Sequence, residues 1–116
     1  MSVAFEGIDR LVVTFQAGAV PAGNFVSMEG SGKVRKATSG QAPVGLALHV
    51  QDGHAAVQLR GYVKTGYSGA AAPSLGWVSL VTDGNGGLRT AGNEESGRLC
   101  LVVEKDSQTQ TMGLFL

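Results

Sequence analysis

The chain has 116 residues, and its nine basic and nine acidic side chains cancel to a formal charge of zero. That length suits one domain with a core of its own, and scattered, balanced charge argues against the basic field that nucleic-acid and membrane surfaces need. Glycine is in excess at 18 residues while 43% of residues are hydrophobic, which excludes simple disorder and fits short strands joined by tight turns.

Residues 1–10 mix Glu6, Gly7, Asp9 and Arg10 with apolar side chains and alternate poorly, so they are expected to form an arm outside the core. They lack the basic start and apolar run of a signal peptide, which predicts a chain made in the cytoplasm. No run approaches the ~20 apolar residues of a membrane span. Strands are expected over 11–15, 24–29 and 33–37, with Gly18, Pro21 and Gly23 marking the first loop and Gly30 and Gly32 the second turn.

Residues 45–63 carry the clearest instruction. Asp52 and Gly53 lie between two alternating runs, which signals a hairpin with a two-residue type I′ turn. With Gln51 facing His54, an unbroken ladder puts Val50 opposite Ala55, Leu48 opposite Val57 and Leu46 opposite Leu59. The expected core face is therefore Val44, Leu46, Leu48, Val50, Val57, Leu59 and Val63, and the expected polar face holds Ala47, His49, Gln58 and Arg60. Beyond it, residues 65–76 read as a long loop, 77–82 as a strand, Asp83 to Gly87 as a turn and 88–91 as a short strand. Residues 98–104 should place Leu99, Leu101 and Val103 on one side, and 109–116 should place Met112, Leu114 and Leu116 on one side.

Residues 30–37 align without gaps on 84–91, giving the pattern Gly-x-Gly-x-apolar-Arg-x-Ala twice, with Arg35 and Arg89 in the same place. Val26, Ser27 and Met28 resemble Val78, Ser79 and Leu80, and residues 46–50 resemble 99–103. The expectation is an all-β domain over residues 11–116, a small β-barrel or β-sandwich of about eight to ten short strands with two related halves near 23–63 and 76–116.

No catalytic pattern is complete. Gly30, Ser31, Gly32 and Lys33 evoke a phosphate loop, but Ser27 and Val34 stand where it needs glycine and a hydroxyl. His49 and His54 share a hairpin face without a third firm ligand, so no metal or other cofactor is expected. The single Cys100 sits in an apolar alternation and reads as a small buried hydrophobe. Trp77, Tyr62 and Tyr67 flank the long loop and could form a subunit contact or a sugar-stacking platform. Arg35 and Arg89, if both face outward, suit pairing with acids on a neighbouring subunit. No acid, base or nucleophile cluster can be named, so an enzyme is not expected.

Gly23, Phe25, Val26, Gly32, Val34, Ala37, Gly40, Val44, Gly45, Ala47, Val57, Leu59, Gly61, Val63 and the later Gly76, Trp77 and Leu80 form a spaced pattern. It resembles the small β-rich capsid decoration, or cement, proteins of tailed bacteriophages and their prophage relatives. The resemblance covers residues 11–104. It implies a virion protein that forms a homotrimer, sits on the outside of a mature capsid and binds the major capsid protein without touching nucleic acid or membrane. It also implies that the N-terminal arm, with Val3, Phe5, Ile8 and Arg10, makes that contact. A carbohydrate- or small-ligand-binding β module is the alternative, on the strength of the aromatic residues around the long loop.

Overall fold

The computed structural model describes residues 10–69 and 72–116, and these form ten strands and no helix. Strands β1 (Leu11–Ala17), β2 (Phe25–Gly30), β3 (Lys33–Lys36), β4 (Gly45–Gln51) and β5 (His54–Arg60) close a first barrel in the order β1, β3, β2, β4, β5. Strands β6 (Tyr62–Ser68), β7 (Gly76–Thr82), β8 (Leu88–Thr90), β9 (Arg98–Asp106) and β10 (Thr111–Phe115) close a second in the order β6, β8, β7, β9, β10. In each barrel the first strand runs parallel to the third, and every other neighbouring pair is antiparallel. The all-β, barrel-forming chain is as expected; the barrels number two.

The ladder registers put the barrels in correspondence residue by residue. Ala17 pairs with Val34 as Tyr67 pairs with Leu88, and Val26 pairs with Lys36 as Leu80 pairs with Thr90. Carried round the ladders, the rule equates Ala47 with Cys100, Ala55 with Met112, and Val57 with Leu114. Apart from Lys36 and Thr90, which lie outside the cores, these equivalents make six pairs, all buried, and in each the second barrel has the larger side chain. The first core is thus a small-residue core completed by Val20 and flanked by Phe15, Val50 and Leu59, whereas the second is filled by leucines, Met112 and Tyr67. Since interiors pack at near-crystalline density, the two barrels enclose different volumes around one topology.

The hairpin forms with its expected turn, Asp52 at φ 53° and Gly53 at φ 75°, and with Gln51 facing His54 and Val50 facing Ala55. Further along the expected faces fail. The ladder shifts between Ala47 and His49, leaving Leu48 as an extra residue, so that Ala47 faces Val57 and Leu46 faces Gln58. A bulge of one residue exchanges the faces of the strand beyond it. Ala47, expected on the polar face, is therefore in the first core, and Leu46, expected inside it, points out onto the second core. Gln58, also expected on the polar face, is 1% exposed, and its amide donates to the carbonyls of Arg60 and Tyr62 at 3.1 Å each.

Those two carbonyls flank the next departure. Residues 54–63 read as one strand, but Gly61 at φ 108° ends β5 and starts β6, so Tyr62 and Val63 belong to the second barrel. A Cβ on Gly61 would lie 3.2 Å from the Arg10 Cα, which together with the positive φ reserves the position for glycine. Because β6 runs to Ser68, the loop expected over 65–76 begins only at Gly69.

Apolar packing, backbone hydrogen bonds and an arginine fork sew the barrels together. The Phe25 side chain, on the outside of the first barrel, joins the core cluster of the second. The Gly40 N–H donates to the Thr82 carbonyl at 2.9 Å, and the Thr82 N–H donates to the Gln41 carbonyl at 2.8 Å, so the loop after β3 extends the edge of β7. Arg98 donates to the carbonyls of Val44 at 2.7 Å, Leu59 at 2.8 Å and Pro43 at 3.3 Å.

Candidate binding face

Side chains on a strand alternate between the two faces of a sheet, and in the second barrel this sorts β7 and β9 cleanly. Val78 and Leu80 on β7, with Cys100 and Val102 on β9, turn inward. Trp77 and Ser79 therefore turn outward, as do Leu99 and Leu101. Sequence alternation put Leu99, Leu101 and Val103 on one side of β9 and read Cys100 as buried; the parity of Cys100 and Val102 fills the core.

The consequence is an apolar outer face. Trp77 is 69% exposed, Leu99 62% and Leu75, just before β7, 63%. Trp77 pairs across the ladder with Leu101, Leu101 with Phe115 and Phe115 with Tyr62, so one lateral row crosses β7, β9, β10 and β6. At its far end the Tyr62 and Phe115 rings meet edge to face with centroids 5.7 Å apart, and the Tyr62 hydroxyl donates to Glu104. The reading of Cys100 as buried was the signal that could have found Leu99, since the two are one step out of phase on the strand.

The expected site residues do not gather at one point. Tyr67 is buried in the second core, so it cannot join Tyr62 and Trp77 in a stacking platform. Arg89 makes a bidentate pair with Glu95 at 2.7 Å on both oxygens and reaches Ser39 across the seam at 3.4 Å. Its equivalent Arg35 is exposed. Arg10 lies against Gly61 at the seam, while Val3, Phe5 and Ile8 fall outside the described residues.

The titratable groups serve local structure. The Arg89 guanidinium, followed by the Gly92 N–H, holds the Glu95 carboxyl down to about 2. The N–H groups of Gln108 and Thr109 lower the Asp106 carboxyl, which caps its own turn. Burial raises the Cys100 thiol, against the weaker opposing charge of Arg98, so it stays protonated and poorly nucleophilic. An open groove of about 440 Å³ runs between Asn24, Lys64, Asp83 and Asn85. Its one carboxylate, Asp83, already accepts from the N–H groups of Asn85 and Gly87 and from the Ser68 hydroxyl. His49 bonds Gln51, and His54 bonds the Asp52 carbonyl, both on the surface. Among the described residues no three His, Cys, Asp or Glu side chains converge in a way that could hold a metal.

No protein-family model matches the chain, and no curated protein matches it. What the arrangement offers is a hydrogen-bonded double barrel with an exposed apolar face.

Proposed function

We propose that the protein is a non-enzymatic structural protein of a bacteriophage virion, which binds the outside of a capsid and stabilises it, assembling as a homotrimer. The observation that carries this reading is the exposed apolar face around Trp77 and Leu99 on a rigid double barrel, a surface built to be covered by protein. The spaced glycine, valine and alanine pattern, which resembles that of capsid decoration proteins, supports the same reading. Arg10 lies at the seam between the barrels, and in this reading the N-terminal arm, through Val3, Phe5, Ile8 and Arg10, engages the major capsid protein, with strand addition to an exposed edge as the mode of contact. The protein is made in the cytoplasm of the host bacterium and ends on the capsid surface. Mixing purified protein with expanded, undecorated capsids gives saturable binding, and removing residues 2–9 abolishes it. Absence of binding by the full chain would sink the proposal.

The exposed indole of Trp77 favours a second reading, a carbohydrate-binding β module. A glycan array separates the two: ligands lost on Trp77→Ala support sugar recognition, and a blank array supports the structural role.

A further inference from the structure

The internal repeat supplies a template for contact between copies. In the first barrel Phe25 on β2 and Leu46 on β4 are ladder partners, point outward and pack on the core of the second barrel. Their equivalents in the second barrel are Ser79 on β7 and Leu99 on β9, which are also ladder partners and also point outward. The surface that the first barrel uses to dock is thus open on the second. It is also where Trp77, Leu99 and, just before β7, Leu75 are the three most exposed of the large apolar side chains among the described residues, the kind of exposure that marks an interaction surface.

The receiving side repeats as well. Within the chain, the second barrel receives the first through Thr82, Arg89 and the turn at Gly84 and Gly86, which approach Ser39 and Asn24. The equivalents in the first barrel are Met28, Arg35 and the turn at Gly30 and Gly32. Met28 is 43% exposed, and Arg35 is exposed as well. The loop that meets Arg89, residues 38–44, corresponds to residues 92–97, where Glu94 is exposed. Repeating the internal contact between molecules would bring that carboxylate towards Arg35 and Lys36, so the two open surfaces match in charge as well as in apolar character.

The geometry points to head-to-tail self-association: the Trp77 and Leu99 face of one copy seats on the Met28 and Arg35 surface of the next, reproducing between molecules the contact made between the barrels within one. Such a contact joins two different surfaces, so each copy keeps one of each to offer, and a chain of copies ends only when it closes into a ring. The inference takes up the self-assembly in the proposed function and makes no use of the capsid.

The test is the solution mass of the protein alone, by sedimentation velocity, for wild type, Trp77→Asp, Met28→Asp and an equimolar mixture of the two variants. Wild type is expected at a multiple of 11.9 kDa, and each variant at 11.9 kDa. The mixture should recover a one-to-one dimer, because each variant retains the surface that the other lacks. Wild type at 11.9 kDa up to millimolar concentration would overturn the inference. So would an assembly that survives Met28→Asp but not Trp77→Asp, which means like faces pair with like, and so would a mixture that stays monomeric. Circular dichroism checks that each variant folds; Leu99→Asp and Arg35→Asp replace any that does not. Capsid binding by a monomeric wild type would overturn this inference and the homotrimer while leaving the capsid role standing, whereas a ring that ignores capsids would overturn only the capsid role.

Discussion

The guanidinium of Arg98, carried by β9 of the second barrel, donates to the Val44 carbonyl of the first at 2.7 Å. Further bonds to Leu59 and Pro43 let one side chain hold three backbone acceptors from two segments of the other barrel. Arg98→Ala removes all of them and leaves part-buried carbonyls without that donor. The expected cost is about 2 to 4 kcal/mol in urea unfolding, and Arg98→Lys, which lacks the planar fork, should recover only a fraction. An unchanged midpoint in Arg98→Ala would show that the seam does not depend on it.

Gly45 stands at the position equivalent to Arg98 and has the opposite requirement. A Cβ there would run into the Gln58 carbonyl oxygen and come within 2.6 Å of the Val57 Cγ1. Backbone on one side and a core side chain on the other leave little room to yield. Gly45→Ala is expected to destabilise by about 1 to 3 kcal/mol, the range for overpacking. Gly32→Ala, where nothing lies within 4 Å but φ is 69°, serves as a strained but uncrowded comparison.

The unequal cores predict unequal responses to the same methylene. Val26 and Leu80 are equivalent and both fully buried. Val26→Leu should overpack the smaller barrel by about 1 to 3 kcal/mol, while Leu80→Val should cost about 0.5 to 1.5 kcal/mol by analogy with other single-methylene deletions. Denaturant unfolding of both variants checks the order. A first barrel that accepts leucine at no cost would mean its core is not close-packed.

Acid should loosen the 89–97 region first. Glu95 has a folded value of about 2 against an ordinary value of 4.5. Its partners therefore favour folding fully above about 4.5, and that contribution fades as the pH falls towards 2. Glu95→Gln should lower the thermal midpoint at neutral pH, and the gap to wild type should close through this acid window. A gap that persists at the acid end would assign the loss to packing.

Much of the strand pattern was legible because turn chemistry is local. Asp52 and Gly53 announce their own backbone angles, and the matched glycine turns at residues 30–37 and 84–91 carry the correct register of the repeat, with Val34 and Leu88 buried in equivalent places. Matching Val26 with Val78 missed by two residues, since the ladders equate Val26 with Leu80. What local chemistry could not announce was the bulge at Leu48, which depends on how β4 fits β5 once the barrel closes. The apolar outer face was legible in part: Cys100 read as buried from its place in the alternation, but the size and hydrophobicity of Leu99 and Trp77 do not announce that closure of the second barrel turns them to water.

The junction at Gly61 has a consequence for how the molecule presents its ends. Its Cα position abuts Arg10, and its carbonyl accepts from the Leu116 N–H at 3.0 Å, so the first described residue, a residue near the middle and the last residue converge. A tether leading into Arg10 and a tag fused after Leu116 would leave from one spot, on the boundary between the barrels. Cargo fused after Leu116 therefore leaves beside Arg10, where it would compete with any partner that binds at that boundary.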